Sequence, residues 1–399
     1  MRMKRSCLEK VMPASYRLNG IYNCIDNCIC IRIVACMNAL LKPASRVPSR
    51  LKRLLKPVVA PPVFDFWASQ LDSTWSWERP LARLVARHPA ARDAMTLILK
   101  PNRHWTGFQP GQHLNLSAEI DGTRVTRSYS LTELPRADGR IAITVKAIEG
   151  GKLSRHLCHD ARIGEVFSLG PAFGDMRLPE HPAGSYLFLA AGSGITPLIA
   201  LTRGLAAQGM PAPLTLMYWA RTRDELCFVD ELNALAAAQP RFKLRIVLTR
   251  EAGQAQGRIS ENLLASCVDD VAAQQVMACG PGGFVDTARD LLASRVRSFQ
   301  AEAFTPPPAA FADTGTVQVK LLASGRTLRL SRGQPLLTAL EAEGLKPASG
   351  CRMGICNTCA CGKGSGITRN LNTGDLTDEP VSALKLCISS AVSDLVLDL

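Results

Sequence analysis

A chain of 399 residues with 47% hydrophobic residues is too long for one ordinary domain and too apolar for a disordered one. Its net charge of +13 is unevenly placed: residues 1–60 hold 12 Lys/Arg against 2 Asp/Glu, so the remainder carries only +3, which argues against a nucleic-acid-binding body. Fourteen cysteines are spread along the chain with no clear signal peptide, which excludes a secreted disulfide framework and implies free thiols in a reducing cytosol.

Residues 1–63 read as a basic arm. Its apolar run, 29–41, contains Arg32 and is too short to span a bilayer. Cys24, Cys28, Cys30 and Cys36 match no standard zinc spacing. A translation start at Met12 or Met37 would shorten the arm. Further on, Leu51, Leu54, Leu55 and Val58 fall on one helical face, ringed by Arg50, Lys52, Arg53 and Lys56. Such a helix suits an anionic membrane surface; a solvated arm is the alternative. Ala60 to Val63 reads as a stiff linker.

Residues 64–182 change to short alternating stretches at 81–86, 94–99, 112–120, 123–129 and 141–145, with an Asp121-Gly122 hairpin signal. This spacing predicts an antiparallel Greek-key barrel. Within it stand Arg127, Tyr129 and Ser130, then Val145-Lys146, then Gly150, Gly151, Lys152, Leu153 and Ser154. Tyr129 offers a flat ring for stacking and Arg127 a fork for a phosphate oxygen. The Gly150–Ser154 turn opens a predicted helix, 153–158, whose bare N–H groups suit a pyrophosphate.

Residues 183–304 alternate strands with helical stretches, which predicts a parallel α/β sheet. A buried strand, 186–191, runs into Gly192, Gly194, Ile195, Thr196 and Pro197, then a helix to about Ala207. The glycines let a pyrophosphate approach the backbone. Further strands are predicted at 214–219, at 243–248 and before Cys279, Gly280 and Pro281. Arg221 and Arg223, after the second strand, offer two cations to a phosphate.

Residues 305–314 form a proline-rich tether to a last domain, 315–399. That domain predicts a hairpin of strands 316–322 and 327–330, a helix at 335–343 and a final strand at 393–397. Cys351, Cys356, Cys359 and Cys387 have the C-x4-C-x2-C…C spacing of a plant-type [2Fe–2S] site. A four-cysteine zinc site is the alternative, although such sites pair their cysteines as two short knuckles. Cys361 lies off the spacing and reads as a small buried residue.

Taken in order, R-x-Y-S, V-K, G-G-x-x-S, G-x-G-I-T-P and C-G-P resemble the ferredoxin–NADP reductase superfamily, and the C-terminal domain resembles a β-grasp plant-type ferredoxin. The resemblance implies a multidomain α+β protein that binds FAD, NAD(P)H and a [2Fe–2S] cluster, with NADPH favoured over NADH because relatives read the adenosine ribose where Arg221 and Arg223 stand. FAD is favoured over FMN because Phe173-Gly174 occupies the place where FAD-binding relatives close over the adenosine. Ser130 is implied near flavin N5 and Cys279 beside the nicotinamide C4, as a positioning residue and not a nucleophile. The last domain, with 9 Lys/Arg and 7 Asp/Glu, departs from the acidic free ferredoxins, as intramolecular docking permits.

The domain order resembles oxygenase-type reductases, which implies electron flow from NADPH through FAD and the cluster to a metal centre elsewhere. The segment with Phe64, Phe66, Trp67, Trp75 and Trp77 resembles bacterial reductases that pair with membrane acyl-CoA (stearoyl-CoA type) fatty-acid desaturases. It implies a membrane desaturase as acceptor, with a soluble Rieske, di-iron or P450 oxygenase as the alternative. A cytoplasmic monomer with peripheral contact at the inner face of the membrane follows from that reading. A redox sensor would need an output domain, and the sequence carries no sign of one.

Overall fold

The computed structural model describes residues 61–251, 257–304 and 313–399. The expectations for the basic arm, its cysteines and the tether at 305–312 lie outside the described residues. The chain divides into two units, Met1–Val63 and Phe64–Leu399, and every sheet among the described residues belongs to the second. Helix α1 (Pro61–Leu71) corrects the reading of 60–63 as linker. Proline lacks the N–H that the first helical turn leaves unpaired, so Pro61 and Pro62 can begin a helix as readily as they stiffen a tether. Asp65 of α1 fixes the helix by accepting from the Trp77 backbone N–H (2.6 Å) and from Arg79 Nε (2.9 Å).

Six strands then form an antiparallel barrel: β1 (Leu81–Ala91), β2 (Ala94–Pro101), β3 (His113–Ile120), β4 (Thr123–Ser130), β5 (Ile141–Lys146) and β6 (Val166–Phe173). Their order is β4-β3-β6-β1-β2-β5, and a bridge between Leu131 and Ile143 links the two ends. Alternating inward residues such as Leu84, Leu97, Leu116, Ile143 and Phe167 fill the interior. β6 was not among the expected strands, because Gly170 and Pro171 interrupt its alternation. The expected helix is a short turn, α2 (Lys152–Arg155), continued by one wider π turn at His156–Asp160.

The next sheet is parallel throughout: β7 (Ser185–Ala191), β8 (Leu214–Ala220), β9 (Phe242–Leu248), β10 (Gln274–Gly280) and β11 (Ser298–Ala303), in the order β11-β10-β7-β8-β9. Helices α3 (Ile195–Ala207), α4 (Val229–Ala238), α5 (Glu261–Ala265) and α6 (Gly282–Leu292) connect or flank the strands. β7 is apolar along its length because both of its faces are buried, as parallel sheets require. The strand order reverses between β7 and β10. The carboxyl ends of strands at such a switch point are where open α/β sheets take ligands.

The last domain has β12 (Thr316–Leu321), β13 (Thr327–Ser331), α7 (Leu336–Ala342), β14 (Ala360–Ser365), β15 (Thr368–Asn370), β16 (Leu376–Thr377), β17 (Val381–Lys385), β18 (Ser389–Ala391) and β19 (Leu395–Leu397). A mixed sheet runs β13-β12-β19-β14-β17, with β12 parallel to β19, and a small sheet runs β16-β15-β18. Leu336, Leu337 and Leu340 of α7 close its core. Among the described residues no helix is long and apolar enough to cross a membrane.

Candidate functional site

The barrel and the parallel sheet meet at two of the expected residues. Ser130, at the end of β4, and Thr196, in the first turn of α3, are both buried, and the Thr196 hydroxyl donates to Ser130 Oγ at 3.0 Å. The same hydroxyl lies 2.9 Å from the Ser193 carbonyl. Tyr129 packs its ring on the barrel core, and burial holds its phenol well above the usual range. Arg127 is exposed and donates to the neighbouring Thr126 carbonyl. Val145 is buried and its carbonyl accepts from Cys158 Sγ. In the Gly150–Ser154 turn, Gly150 has φ +71° and Ser154 Oγ accepts from the Ile148 N–H. A Cβ at Gly151 would lie 2.5 Å from that oxygen. Lys152 and Leu153 open α2, with Leu153 buried.

At the switch point, Gly192 (φ +56°) and Gly194 form a single tight turn before α3, whose Ile195, Thr196 and Pro197 are all buried. A Cβ on Gly194 would lie 2.0 Å from the Cys279 carbonyl oxygen, and one on Gly280 would lie 2.9 Å from the Ala191 Cβ. The two loops therefore touch backbone to backbone, and their glycines leave the cradle that a dinucleotide needs. Cys279 is fully buried, its Sγ 3.4 Å from Met176 Sδ, and burial pushes its thiol well up. A neutral, enclosed thiol is no nucleophile. Pro281 caps α6. Arg221 and Arg223 are exposed on the loop after β8. The same loop carries Glu225, which accepts from Lys146 Nζ at 2.8 Å and Arg92 at 3.1 Å, while Arg92 also reaches Asp224 at 2.8 Å.

The four expected cysteines come together in the last domain. Cys351, Cys359 and Cys387 are buried and Cys356 is half-buried. Backbone N–H groups turn in to the sulfurs: Met353, Ile355 and Cys356 to Cys351 Sγ at 3.3, 3.4 and 3.3 Å, Cys351 to Cys356 Sγ at 3.2 Å, and Gly354 to Cys387 Sγ at 3.3 Å. Gly354 has φ +78°, and a Cβ there would strike Ile388 at 2.6 Å. Among the described residues no group of three or more His, Cys, Asp or Glu has single-ion geometry. The four thiols instead crowd one another closely enough to perturb their ionisation, Cys351 downward and Cys356 and Cys387 upward. Thiols this close cannot all ionise without cationic charge between them, which is what an iron pair supplies. Cys361 is buried in the core and burial pushes it up to about 11, as a structural cysteine should be.

Sequence reasoning missed His113 and Glu302. Phe173 ends β6 and stacks on the His113 ring at 5.9 Å. His113 Nε2 and Glu302 Oε2 are 3.2 Å apart yet out of line for a hydrogen bond, and neither atom has a hydrogen-bond partner among the described residues. Burial pushes Glu302 up to about 8, helped by the charges of Asp175 and Cys351, and burial pushes His113 down to about 4. A raised carboxyl contributes stability below its unfolded value near 4.5 and loses it as pH rises through about 8. The His113 contribution is already complete above its unfolded value near 6.5, so the decline towards pH 8 belongs to Glu302. Glu302→Gln is expected to remove that decline. Its melting temperature should match the parent at pH 5 and exceed it by about 2–6 °C at pH 9, as read by scanning calorimetry.

Residues 82–177 match the oxidoreductase FAD-binding domain family, 188–290 the oxidoreductase NAD-binding domain family and 319–390 the 2Fe-2S iron-sulfur cluster binding domain family. An NADPH oxidoreductase of Mycobacterium tuberculosis is 32% identical over 355 residues, covering 88% of this chain and 92% of the relative. The glycine betaine monooxygenase reductase subunit of Pseudomonas aeruginosa is 28% identical, covering 82% of this chain and 96% of its own. The solved structure of phthalate dioxygenase reductase is similar with a TM-score of 0.56 and 25% identity, over 80% of this chain and 97% of its own. With an FAD-binding barrel, a nucleotide-binding parallel sheet and a C-terminal ferredoxin domain in that order, the chain belongs to the NAD(P)H-dependent ferredoxin reductases of the phthalate dioxygenase reductase type.

Proposed function

We propose that this reductase passes electrons from NADPH to the metal centre of a separate oxygenase. The observation that carries the reading is the buried Thr196–Ser130 hydrogen bond, which joins the nucleotide loop to the flavin signature. Bound FAD supplies the conversion of a two-electron donor into one-electron steps. Tyr129 gives the isoalloxazine a stacking face, Ser130 a hydrogen bond near its N5, and Arg127 a charge for its phosphates. Gly192 and Gly194 admit the nucleotide pyrophosphate, and Cys279 with Gly280 and Pro281 shapes the wall beside the nicotinamide. Exposed Arg221 and Arg223 suit a 2′-phosphate, and the relative named as an NADPH oxidoreductase agrees. Cys351, Cys356, Cys359 and Cys387 hold the cluster within their N–H cradle.

The relatives named as reductases of a monooxygenase and a dioxygenase favour an oxygenase acceptor over the membrane desaturase. One observation keeps the desaturase as a second reading: Phe66, Trp67 and Leu71 of α1 stand 59%, 64% and 66% exposed, an apolar face suited to a lipid surface. The test follows NADPH oxidation by the full-length protein mixed with a soluble Rieske-type monooxygenase and its substrate, or with membranes carrying an acyl-CoA desaturase and stearoyl-CoA. Substrate-dependent consumption with hydroxylated product in the first mixture is the expected result. Consumption that depends only on stearoyl-CoA would overturn it in favour of the desaturase.

A further inference from the structure

Asn115 belongs to none of the motifs, yet it joins two of them. It lies on β3 where the pairing with β6 shifts register between Leu114 and Leu116, and such a bulge re-aims a side chain. Gly170 makes room for it: a Cβ there would sit 3.2 Å from the Asn115 Cβ. Across the strand pair Asn115 faces Ser128, the residue between Arg127 and Tyr129, whose hydroxyl donates to Asn115 Oδ1 at 2.5 Å. Asn115 Nδ2 donates to Thr358 Oγ1 at 3.0 Å, in the loop between Cys356 and Cys359. The donors run one way, from Ser128 through Asn115 to Thr358, and aligned hydrogen bonds strengthen one another. Gly350 keeps the junction clear, since a Cβ there would lie 2.8 Å from Cys356 Sγ, 3.0 Å from Thr358 Oγ1 and 3.2 Å from Asn115 Oδ1.

We propose that Asn115 is a positioning residue for electron transfer, latching the cysteine loop onto the β3–β4 face of the barrel by holding Thr358 beside the Cys356 sulfur. With FAD and cluster bound, one electron would pass from the reduced flavin to the oxidised cluster, while the hydrogen bonds of Asn115 hold position without moving a proton. The groups packed around a ligand sulfur tune a cluster's potential, so freeing this loop changes how readily the cluster accepts an electron. The inference rests on the proposed cysteine assignment, which the visible absorbance and EPR signal of the parent protein test separately.

The experiment compares Asn115→Ala, Thr358→Val and Thr358→Ser in the full-length protein loaded with FAD and cluster. In Asn115→Ala, reduction of the cluster after NADPH mixing should slow by about tenfold or more, as a small misplacement allows. Its cluster potential should shift in an EPR titration, and hydrogen exchange should rise in both β3 and the 350–359 loop. Thr358→Val should behave alike, Thr358→Ser should restore parent behaviour, and the Asn115→Ala/Thr358→Val double variant should be no slower than the slower single one. Unchanged cluster reduction and exchange in Asn115→Ala would overturn the proposal. A fall of dye reduction in the same proportion would also overturn it, by placing the defect in the flavin site. Should Asn115→Ala fail to fold, equal rates and potentials in Thr358→Val and Thr358→Ser would refute it.

Discussion

Cys351→Ser is expected to abolish cytochrome c reduction while sparing reduction of a small dye. Cys351 is the residue around which the loop is wound: its sulfur accepts from the Met353, Ile355 and Cys356 N–H groups. A serine oxygen is smaller and harder than sulfur, and iron–sulfur clusters select thiolate. Changing even a partner of a metal ligand costs about 10–100-fold in affinity, so losing the ligand itself should cost at least about a hundredfold. The visible absorbance and EPR signal should vanish with cytochrome c reduction. Dye reduction should stay within about twofold, because the barrel and parallel sheet keep their own cores. Survival of both reductions would show that the four cysteines carry no relay.

Gly194→Ala should nearly silence NADPH oxidation. The added Cβ would fall 2.0 Å from the Cys279 carbonyl oxygen, 2.3 Å from its carbon and 2.7 Å from the Gly280 nitrogen. All three are backbone atoms at the end of β10, and none can swing aside as a side-chain tip would. The two loops must therefore separate by an ångström or more, and displacement on that scale costs about a hundredfold in kcat/KM. Overpacking should also cost about 1–3 kcal/mol of stability. Gly204→Ala, within α3 that follows this turn, is the control: its Cβ would meet Leu178 at an ordinary 3.7 Å, and alanine is the better helix former. Equal activity in the two variants would show that the loop contact is not needed for nucleotide binding.

What was legible before the structure is what chemistry ties to local spacing. Cysteines that share one cluster and glycines that admit a pyrophosphate must recur at fixed offsets, so Cys351 to Cys359 and Gly192 to Pro197 stood out as candidates, and the structure gathers each set into one loop. β6 and β11 could not, because Gly170 and Pro171 break one apolar pattern and Gln300 and Glu302 the other. Pro61 and Pro62 misled because proline suits a linker and a first helical turn alike. The buried His113–Glu302 pair and the Asn115–Thr358 hydrogen bond join residues far apart in sequence, and no periodicity announces them. A carboxylate inside a strand, as Glu302 is, was the one available hint.

The Glu225 side chain, shared by Lys146 and Arg92, bears on how freely the parts of such a reductase can be exchanged. The carboxylate comes from the loop after β8, and both cations come from the barrel. A chimaera that keeps this barrel and borrows its nucleotide-binding half from elsewhere inherits two cations that face a foreign loop. The stretch from Asp224 to Glu225 travels with the barrel in function although it is encoded with the sheet. A recombination boundary chosen from the fold alone, between β6 and β7, would divide the pair.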